Sequence, residues 1–198
     1  MMDPAPSVDQ LSRALRVVGD LVTGVGPEQW SAPSPCTDWN VHQLVNHLVA
    51  VNLTIASLLS GQVLPERGLD HLGDDPAGAY RASGATLRAA FDQPGILDRS
   101  FRGSLGTATG EELLQSRLYD LLAHGWDLAQ ATGQPAVLPE DLAAQALTFA
   151  RGQLSTQPRT GRFGPAQPTT DDAPAIDRLV AFLGSSASAG DTATTHTA

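Results

Sequence analysis

The sequence predicts an all-α protein, an antiparallel four-helix bundle with additional short helices. Three observations predict this fold. Four long segments carry apolar side chains at helical spacing, no segment shows a convincing strand-like alternation, and no stretch repeats another. Amphipathic helices joined by mixed connections are typical of such bundles. With 198 residues, the chain is long enough to bury a core without disulfide bonds or structural metals.

The first two predicted helices have recognisable start signals. Ser7 is an N-cap for the first helix, and Gln10, three residues later, completes a capping box. Thr37 or Asp38 is expected to cap the second helix, after a loop rich in Pro and Ser. The residues expected to face inward are Leu11, Leu15, Val18 and Val22 in the first helix, and Val41, Leu44, Val45, Leu48, Val51, Ile55 and Leu58 in the second.

The third and fourth helices are also bounded by local signals. Asp75 caps the third, with Pro76 at its first helical position. Thr109 and Glu112 form a second capping box for the fourth helix, which Gly133 ends. The inward-facing residues are predicted to be Tyr80, Leu87 and Phe91 in the third helix, and Leu114, Leu118, Leu121 and Leu128 in the fourth.

The remainder of the chain is predicted to add two short helices. A fifth helix begins at Pro139 and ends near Gly152. Residues 155–174 are too rich in Pro, Gly and Thr to be regular, although Phe163 is expected to pack against the bundle. A last short helix is predicted over residues 176–184.

These elements predict one domain over residues 8–184, between a flexible N-terminus (1–7) and a disordered tail (185–198). No apolar run approaches the roughly 20 residues of a membrane span. The first residues have neither the basic nor the apolar region of a secretion signal. A cytoplasmic protein without a membrane partner is therefore expected.

Charge and cysteine content exclude other classes of partner. The 12 basic residues, all Arg and scattered, stand against 21 acidic ones, for a net charge of −9. Because such a chain repels phosphate backbones, nucleic acid is not an expected partner. The single cysteine, Cys36, cannot form an internal disulfide, which fits a reducing compartment. No basic residue or His is near it in the sequence, so we assign it no role.

Three residues are candidates for a metal site. In the run LYDLLAHGWDLAQATG, Asp120 and His124 lie one turn apart on the same helix face. His47 lies on the inner face of the second helix, whereas His42 points away from it by roughly 140°. Two imidazoles and one carboxylate match the three protein ligands of a catalytic zinc site with an open position. Taken singly, such residues are more typical of a buried polar network or a surface contact, and that alternative stays open.

Three runs of the sequence carry a resemblance to a known family: PCTDWNVHQLVNHLVAVN, LYDLLAHGWDLAQATGQP and RFGPAQPTTDDAPAIDRLVAFLG. They resemble metal-binding relatives of the mycothiol-dependent maleylpyruvate isomerase N-terminal domain, in the DinB-like superfamily. The resemblance covers residues 8–184 and implies a DinB-like bundle that binds a divalent metal, usually zinc, with nickel and iron as alternatives. The implied ligands are a His on the second helix and a Glu-x-x-x-His pair on a later one. The matching positions here are His47, Asp120 and His124; the shorter Asp120 leaves open whether it ligates directly or through water.

The resemblance also implies a reaction class. The isomerase has a further C-terminal domain, whereas a disordered tail is predicted here, so a zinc-dependent mycothiol-type S-transferase, or else an isomerase-like enzyme, is expected rather than maleylpyruvate isomerisation itself. Its partners would be a small-molecule substrate and a low-molecular-weight thiol, with mycothiol as co-substrate. A noncatalytic metal- or ligand-binding bundle and a purely structural domain are the alternatives, and a homodimer is left open.

Four neighbouring residues are weighed under this hypothesis. Arg117 is a candidate to bind a substrate or thiol carboxylate, or else an exposed charge at the edge of the bundle. Asp127 is a candidate to orient an imidazole as a hydrogen-bond acceptor, or else a solvated Asp near a helix end. Trp39 and Trp126 are expected to be packing aromatics rather than substrate platforms.

Overall fold

The computed structural model of the chain describes residues 6–36, 39–103, 106–156 and 164–185. Six α-helices run through this part of the chain: α1 (Val8–Thr23), α2 (Val41–Ser60), α3 (Pro76–Phe91), α4 (Gly110–Thr132), α5 (Glu140–Thr156) and α6 (Ala175–Leu183). A hairpin of β1 (Ser100–Gly103) and β2 (Gly106–Thr109) precedes α4. The all-α class is confirmed. Three predictions lie outside the described residues: the flexibility of residues 1–5, the packing of Phe163 and the disorder of the tail from residue 186.

The bundle is formed by α1 to α4, in which α2 packs on α3, α1 on α3 and α4, and α2 on α4. α5 and α6 pack on each other and on α4. One continuous apolar core fills the interior and includes the fully buried residues Leu11, Val18, Leu44, Leu48, Leu87, Leu114 and Leu121. Because α2 and α4 are neighbours, residues on their facing sides come within contact distance.

Most predicted helix starts are confirmed, since a cap depends only on residues a few positions apart. Ser7 and Thr109 form capping boxes with Gln10 and Glu112, and the Asp75 side chain accepts from Gly78 N–H. The cap predicted for α2 is wrong. Its N-cap is Asn40, whose side chain accepts from Gln43 N–H while Gln43 reaches back, and Thr37 and Asp38 lie outside the described residues.

The predicted inner face of α2 holds only for its first half. Val51, Ile55 and Leu58 are partly exposed, whereas Asn52, Ala56 and Leu59 are buried. α2 is apolar on more than one side, so periodicity alone did not define which side faces the core. The buried side of the second half includes a polar residue, Asn52, because its amide oxygen accepts a hydrogen bond from the buried guanidinium of Arg117.

The hairpin contradicts the expectation that the chain contains no strand. Ser100 pairs with Thr109 and Phe101 with Ala108, and Phe101 is buried against the bundle. Each strand has four residues, too few to produce a visible period of two. The hairpin ends at Thr109, so it sets the position at which α4 begins.

α2 is also long and apolar enough to span a membrane by length and composition alone, with 20 residues and a mean hydropathy of 1.3 in its best window. The sequence expectation rested on the lack of a continuous apolar run and did not predict that α2 has this length and composition. In the folded chain, the helix packs on α3 and α4 and buries side chains such as Leu44, Val45 and Leu48. These are the contacts of a core helix in a bundle.

Candidate metal centre

The three predicted ligands come together where α2 faces α4. His47 Nε2 lies 3.5 Å from Asp120 Oδ1, and His124 Nε2 lies 3.6 Å from the same oxygen. The two imidazole rings are 4.9 Å apart between centroids and nearly perpendicular. The three ligand atoms all lie within 4.8 Å of one another. His42, by contrast, lies away from this cluster and faces Asp70 at 3.5 Å.

These residues fit a divalent cation. A tetrahedral cation with nitrogen and oxygen ligands separates them by about 3.3 Å, close to the distances around Asp120 Oδ1. His47 Nε2 is buried and has no hydrogen-bond partner among the described residues. Because an unpartnered polar atom in the interior costs free energy, a cation at this point would satisfy an otherwise unmet nitrogen.

Arg117 holds the other oxygen of Asp120. Its Nη1 donates to Asp120 Oδ2, its Nε to Asn52 Oδ1 at 2.9 Å and its Nη2 to the Leu48 carbonyl at 2.8 Å. The Arg117 side chain is 0% exposed. The expectation of an exposed charge at the edge of the bundle is therefore wrong: the guanidinium lies inside, between α2 and α4, and is bound by the protein itself.

The ion pair decides the protonation state of Asp120. Burial opposes ionisation, but the Arg117 guanidinium, together with His124 and His47, holds the pKa of the Asp120 carboxyl well below its usual range. Asp120 is therefore a carboxylate at neutral pH, with Oδ2 bound to arginine and Oδ1 directed at the two imidazoles.

α3 supports this arrangement by binding the amide of Asn52, which lies on α2. Asn52 Nδ2 donates to Ser83 Oγ at 3.0 Å, and that hydroxyl donates to the Tyr80 carbonyl at 2.9 Å. Asn52 is fully buried and Ser83 nearly so. Sequence reasoning missed both residues, although two polar side chains facing the core on adjacent helices are the kind of signal that a satisfied network leaves.

Asp127 lies on the opposite edge of the His124 ring. Its Oδ2 is 3.1 Å from His124 Nδ1, and its side chain is 1% exposed. The alternative of a solvated Asp is therefore wrong, and the geometry is that expected of an acceptor that orients an imidazole. Burial opposes protonation of His124, but the carboxylates of Asp120 and Asp127 raise its pKa above the usual value.

Cys36 also reaches this ring, which the sequence did not indicate. Its Sγ lies 3.0 Å from Asp127 Oδ2 and 3.5 Å from His124 Nδ1. Burial, followed by the neighbouring Asp127 carboxylate, raises the pKa of the Cys36 thiol. The histidine is 88 residues away in the chain, so a search of the neighbouring sequence could not find it.

The two tryptophans differ in position. Trp39 is half-buried, with its ring 4.8 Å from that of His47 and 5.9 Å from that of His124, so it borders the centre. Trp126 is buried in the core, where its Nε1 lies 3.2 Å from Asp177 Oδ1. Trp126 is therefore a packing aromatic, as expected, and Trp39 also packs against the core while it borders the centre.

A cavity of about 400 Å³ opens beside His47, between α2 and the loop before α3. Asn46 ties the loop to the helix: its side chain donates to the Leu69 carbonyl at 2.9 Å and accepts from His71 N–H at 2.8 Å. The polar and aromatic residues of the cavity wall are Trp39, Gln43, Asn46, His47, Thr54, Glu66, Arg67 and His71. A small molecule in this cavity would contact His47 directly.

Comparison with known proteins identifies the family. The sequence profile of the mycothiol maleylpyruvate isomerase N-terminal domain matches residues 11–129. The chain belongs to this family. Two uncharacterized proteins of Mycobacterium tuberculosis, from strains CDC 1551 / Oshkosh and H37Rv, are each 32% identical to it over 178 residues, 87% of this chain and 93% of theirs. The resemblance drawn from the three sequence runs is thereby confirmed.

The fold is similar to solved structures of an isomerase from the same family. The crystal structure of the mycothiol-dependent maleylpyruvate isomerase superposes with a TM-score of 0.57 at 15% identity, and that of a histidine-to-alanine mutant with 0.56 at 14%. The match covers 70% of this chain and 65% of the isomerase chain. At this identity the likeness concerns the fold alone, and it confirms the DinB-like bundle.

Proposed function

We propose that this protein binds a divalent metal through His47, Asp120 and His124 and catalyses thiol transfer to a small electrophile, with a low-molecular-weight thiol of the mycothiol type as co-substrate. The observation that carries the proposal is the convergence of two imidazole nitrogens on one carboxylate oxygen, beside a cavity. Zinc suits this donor set best, and nickel or iron would accept the same ligands. When bound, the cation supplies Lewis acidity that lowers the pKa of a thiol, so that thiolate is available at neutral pH.

The chain's own residues prepare the ligand atoms. Asp127 accepts a hydrogen bond from His124 Nδ1, which keeps the proton there and leaves the Nε2 lone pair facing Asp120. Arg117 binds Asp120 Oδ2 and leaves Oδ1 as the free acceptor. We infer that Asp120 ligates directly rather than through water, because its Oδ1 already lies at ligand spacing from both imidazoles.

The environment of the centre supports the choice of a polar thiol. Trp39 covers one side of the imidazoles, and Gln43 and Arg67 line the cavity that leads to His47. An indole face, an amide and a guanidinium suit a ligand with hydroxyl, amide or carboxylate groups. The isomerase with the similar fold is described as mycothiol-dependent. Arg117 is not the substrate-binding group in this proposal, because its guanidinium is buried and bound to Asp120. A cytoplasmic location is proposed with it, since thiols are kept reduced there.

The test separates metal binding from catalysis. Purified protein and the His47→Ala variant are analysed for metal, with His42→Ala as the matched control, since His42 is on the same helix but outside the centre. We expect about one metal ion per chain in the wild type and in His42→Ala, and loss of it in His47→Ala. The holo protein is then assayed for consumption of mycothiol with epoxide and chlorinated-arene electrophiles. Metal-dependent turnover supports the transferase; tight thiol binding without turnover on a broad panel indicates a noncatalytic binding bundle instead.

A further inference from the structure

A second triangle of ligand atoms lies on the other edge of the His124 ring. Cys36 Sγ, His124 Nδ1 and Asp127 Oδ2 are separated by 3.5 Å from sulfur to nitrogen, 3.1 Å from nitrogen to oxygen and 3.0 Å from sulfur to oxygen. Zinc-like tetrahedral coordination separates such atoms by about 3.3 to 3.6 Å. The triangle therefore needs to widen, by about half an ångström between sulfur and oxygen and by less on the other edges, to hold a zinc-sized cation.

A further feature indicates that this cluster lacks a partner. Asp127 is 1% exposed, and its Oδ1 is buried without a hydrogen-bond partner among the described residues. Its other oxygen, Oδ2, lies 3.0 Å from Cys36 Sγ. Thiolate and carboxylate together would neutralise the two charges of a divalent cation bound here.

We propose that Cys36, His124 and Asp127 form a second cation site, selective for thiophilic divalent cations such as Cd²⁺, whose occupancy excludes a metal from the His47, Asp120 and His124 centre. Thiolate and imidazole are the ligands that such cations prefer, whereas the first centre offers no sulfur. Binding replaces the thiol proton: Cys36 S–H breaks, a sulfur–cation bond forms, and the proton leaves to solvent.

Exclusion follows from the chemistry of one imidazole. A neutral ring has a single nitrogen lone pair, because its other nitrogen carries the proton. Coordination through Nδ1 therefore moves the proton to Nε2, the atom that faces Asp120 Oδ1 at 3.6 Å. His124 then donates to Asp120 and is no longer a ligand of the first centre. The second site is thus a switch by which a thiophilic cation inactivates the first; this consequence, but not the second site itself, rests on the proposed function.

The experiment is a titration of metal-free protein with Cd²⁺ alone, followed by the ultraviolet charge-transfer absorption of a cadmium–thiolate bond. Because the chain has one cysteine, any such absorption reports Cys36. We expect it to saturate at about one Cd²⁺ per chain in the wild type and in His47→Ala. It should be absent in Cys36→Ser, which keeps a hydroxyl donor for Asp127, and in wild type whose thiol has been alkylated.

Two results would overturn the second site. One is stoichiometric Cd²⁺ binding to the wild type without thiolate absorption. The other is loss of the absorption in His47→Ala, which would make Cys36 a ligand of the first centre. A failure of the proposed function is seen separately, as wild-type protein that does not bind zinc.

Exclusion is tested by adding Cd²⁺ to zinc-loaded protein. Zinc should be released in step with the thiolate absorption, and full absorption with zinc retained would contradict the switch.

Discussion

Arg117 is the residue on which the geometry of Asp120 depends. An aspartate is one methylene shorter than a glutamate, so its carboxylate has less reach. The guanidinium binds one oxygen and is itself held by Asn52 and the Leu48 carbonyl on α2. α2 therefore carries both His47 and the two groups that hold the Arg117 guanidinium against Asp120. Asp120, a proposed ligand on α4, is therefore positioned by α2, the helix that carries His47.

Replacement of Arg117 by Lys should weaken metal binding while leaving the fold intact. Lysine keeps the charge but lacks the planar fork that holds Asp120, Asn52 and the Leu48 carbonyl at once. Loss of an outer partner of a ligand typically lowers metal affinity by about 10- to 100-fold. Chelator competition with Zn²⁺ measures this, and the Co²⁺ visible spectrum should change as well. An unchanged affinity and spectrum would mean that Arg117 is structural only.

Replacement of Arg117 by Met should lower the free energy of unfolding by about 3 kcal/mol, because it leaves the Asp120 charge without its cation in a largely buried site. Urea denaturation of metal-free protein measures this value. Arg88→Met is the matched control, since the Arg88–Asp92 pair on α3 is exposed and contributes at most about 1 kcal/mol. Equal losses in the two variants would contradict the role of the buried pair.

His124 should make metal-free and metal-loaded protein respond oppositely to pH. Its pKa is raised in the folded state, so its contribution to stability is fully present below the unfolded value of about 6.5 and is lost as pH rises through the higher folded pKa. Metal binding requires the neutral ring, so the loaded protein should gain stability over the same range. Denaturation between pH 5.5 and 8.5, roughly the titration range of histidine, gives the slope of the free energy of unfolding against pH with and without Zn²⁺. Wild-type slopes retained in His124→Asn would assign the effect to another group.

At the scale of elements, the start of α4 is set by a close approach of backbone. A Cβ on Gly110 would lie 2.1 Å from the Ile96 carbonyl oxygen, in the turn before the hairpin. Only glycine admits this contact, and Thr109 caps the helix at the same point. Because α4 carries Asp120, Asp127 and His124, this contact sets the position of these three side chains along the axis of α2.

Replacement of Gly110 by Ala should therefore lower the free energy of unfolding by about 1 to 3 kcal/mol, since the clash is with backbone that cannot rotate away. Gly152→Ala is the matched control: it is also helical, and a Cβ there meets nothing within 4 Å. That substitution should raise stability by roughly 0.5 to 1 kcal/mol through helix propensity. Chemical denaturation of both variants gives the comparison, and a gain in stability on Gly110→Ala would disprove the contact.

At the scale of the whole molecule, the centre joins two helices that are distant in sequence, so a bound cation should stabilise the entire bundle. Zinc at 100 times its dissociation constant adds about 2.7 kcal/mol, or roughly 5 to 10 °C in Tm for a domain of this size. Differential scanning calorimetry with and without Zn²⁺ measures the shift. It should be present in His42→Ala and absent in His47→Ala; a shift that persists in His47→Ala would place the metal elsewhere.

The sequence by itself determined the helices, most of their caps, the inner face of the first half of α2, where His47 lies, and the shared face of Asp120 and His124 on α4, because each of these depends on residues within one or two turns. The tertiary structure alone decided the surroundings of those ligands. Arg117 was expected at an exposed edge or on a substrate, and Cys36 was given no role. The Arg117–Asp120 pair is local, three residues apart on α4. The other partners of Arg117 and of Cys36 lie 65 and 88 residues away, so the burial of Arg117 and the contact of Cys36 with His124 exist only once α2, α4 and the loop before α2 have packed together.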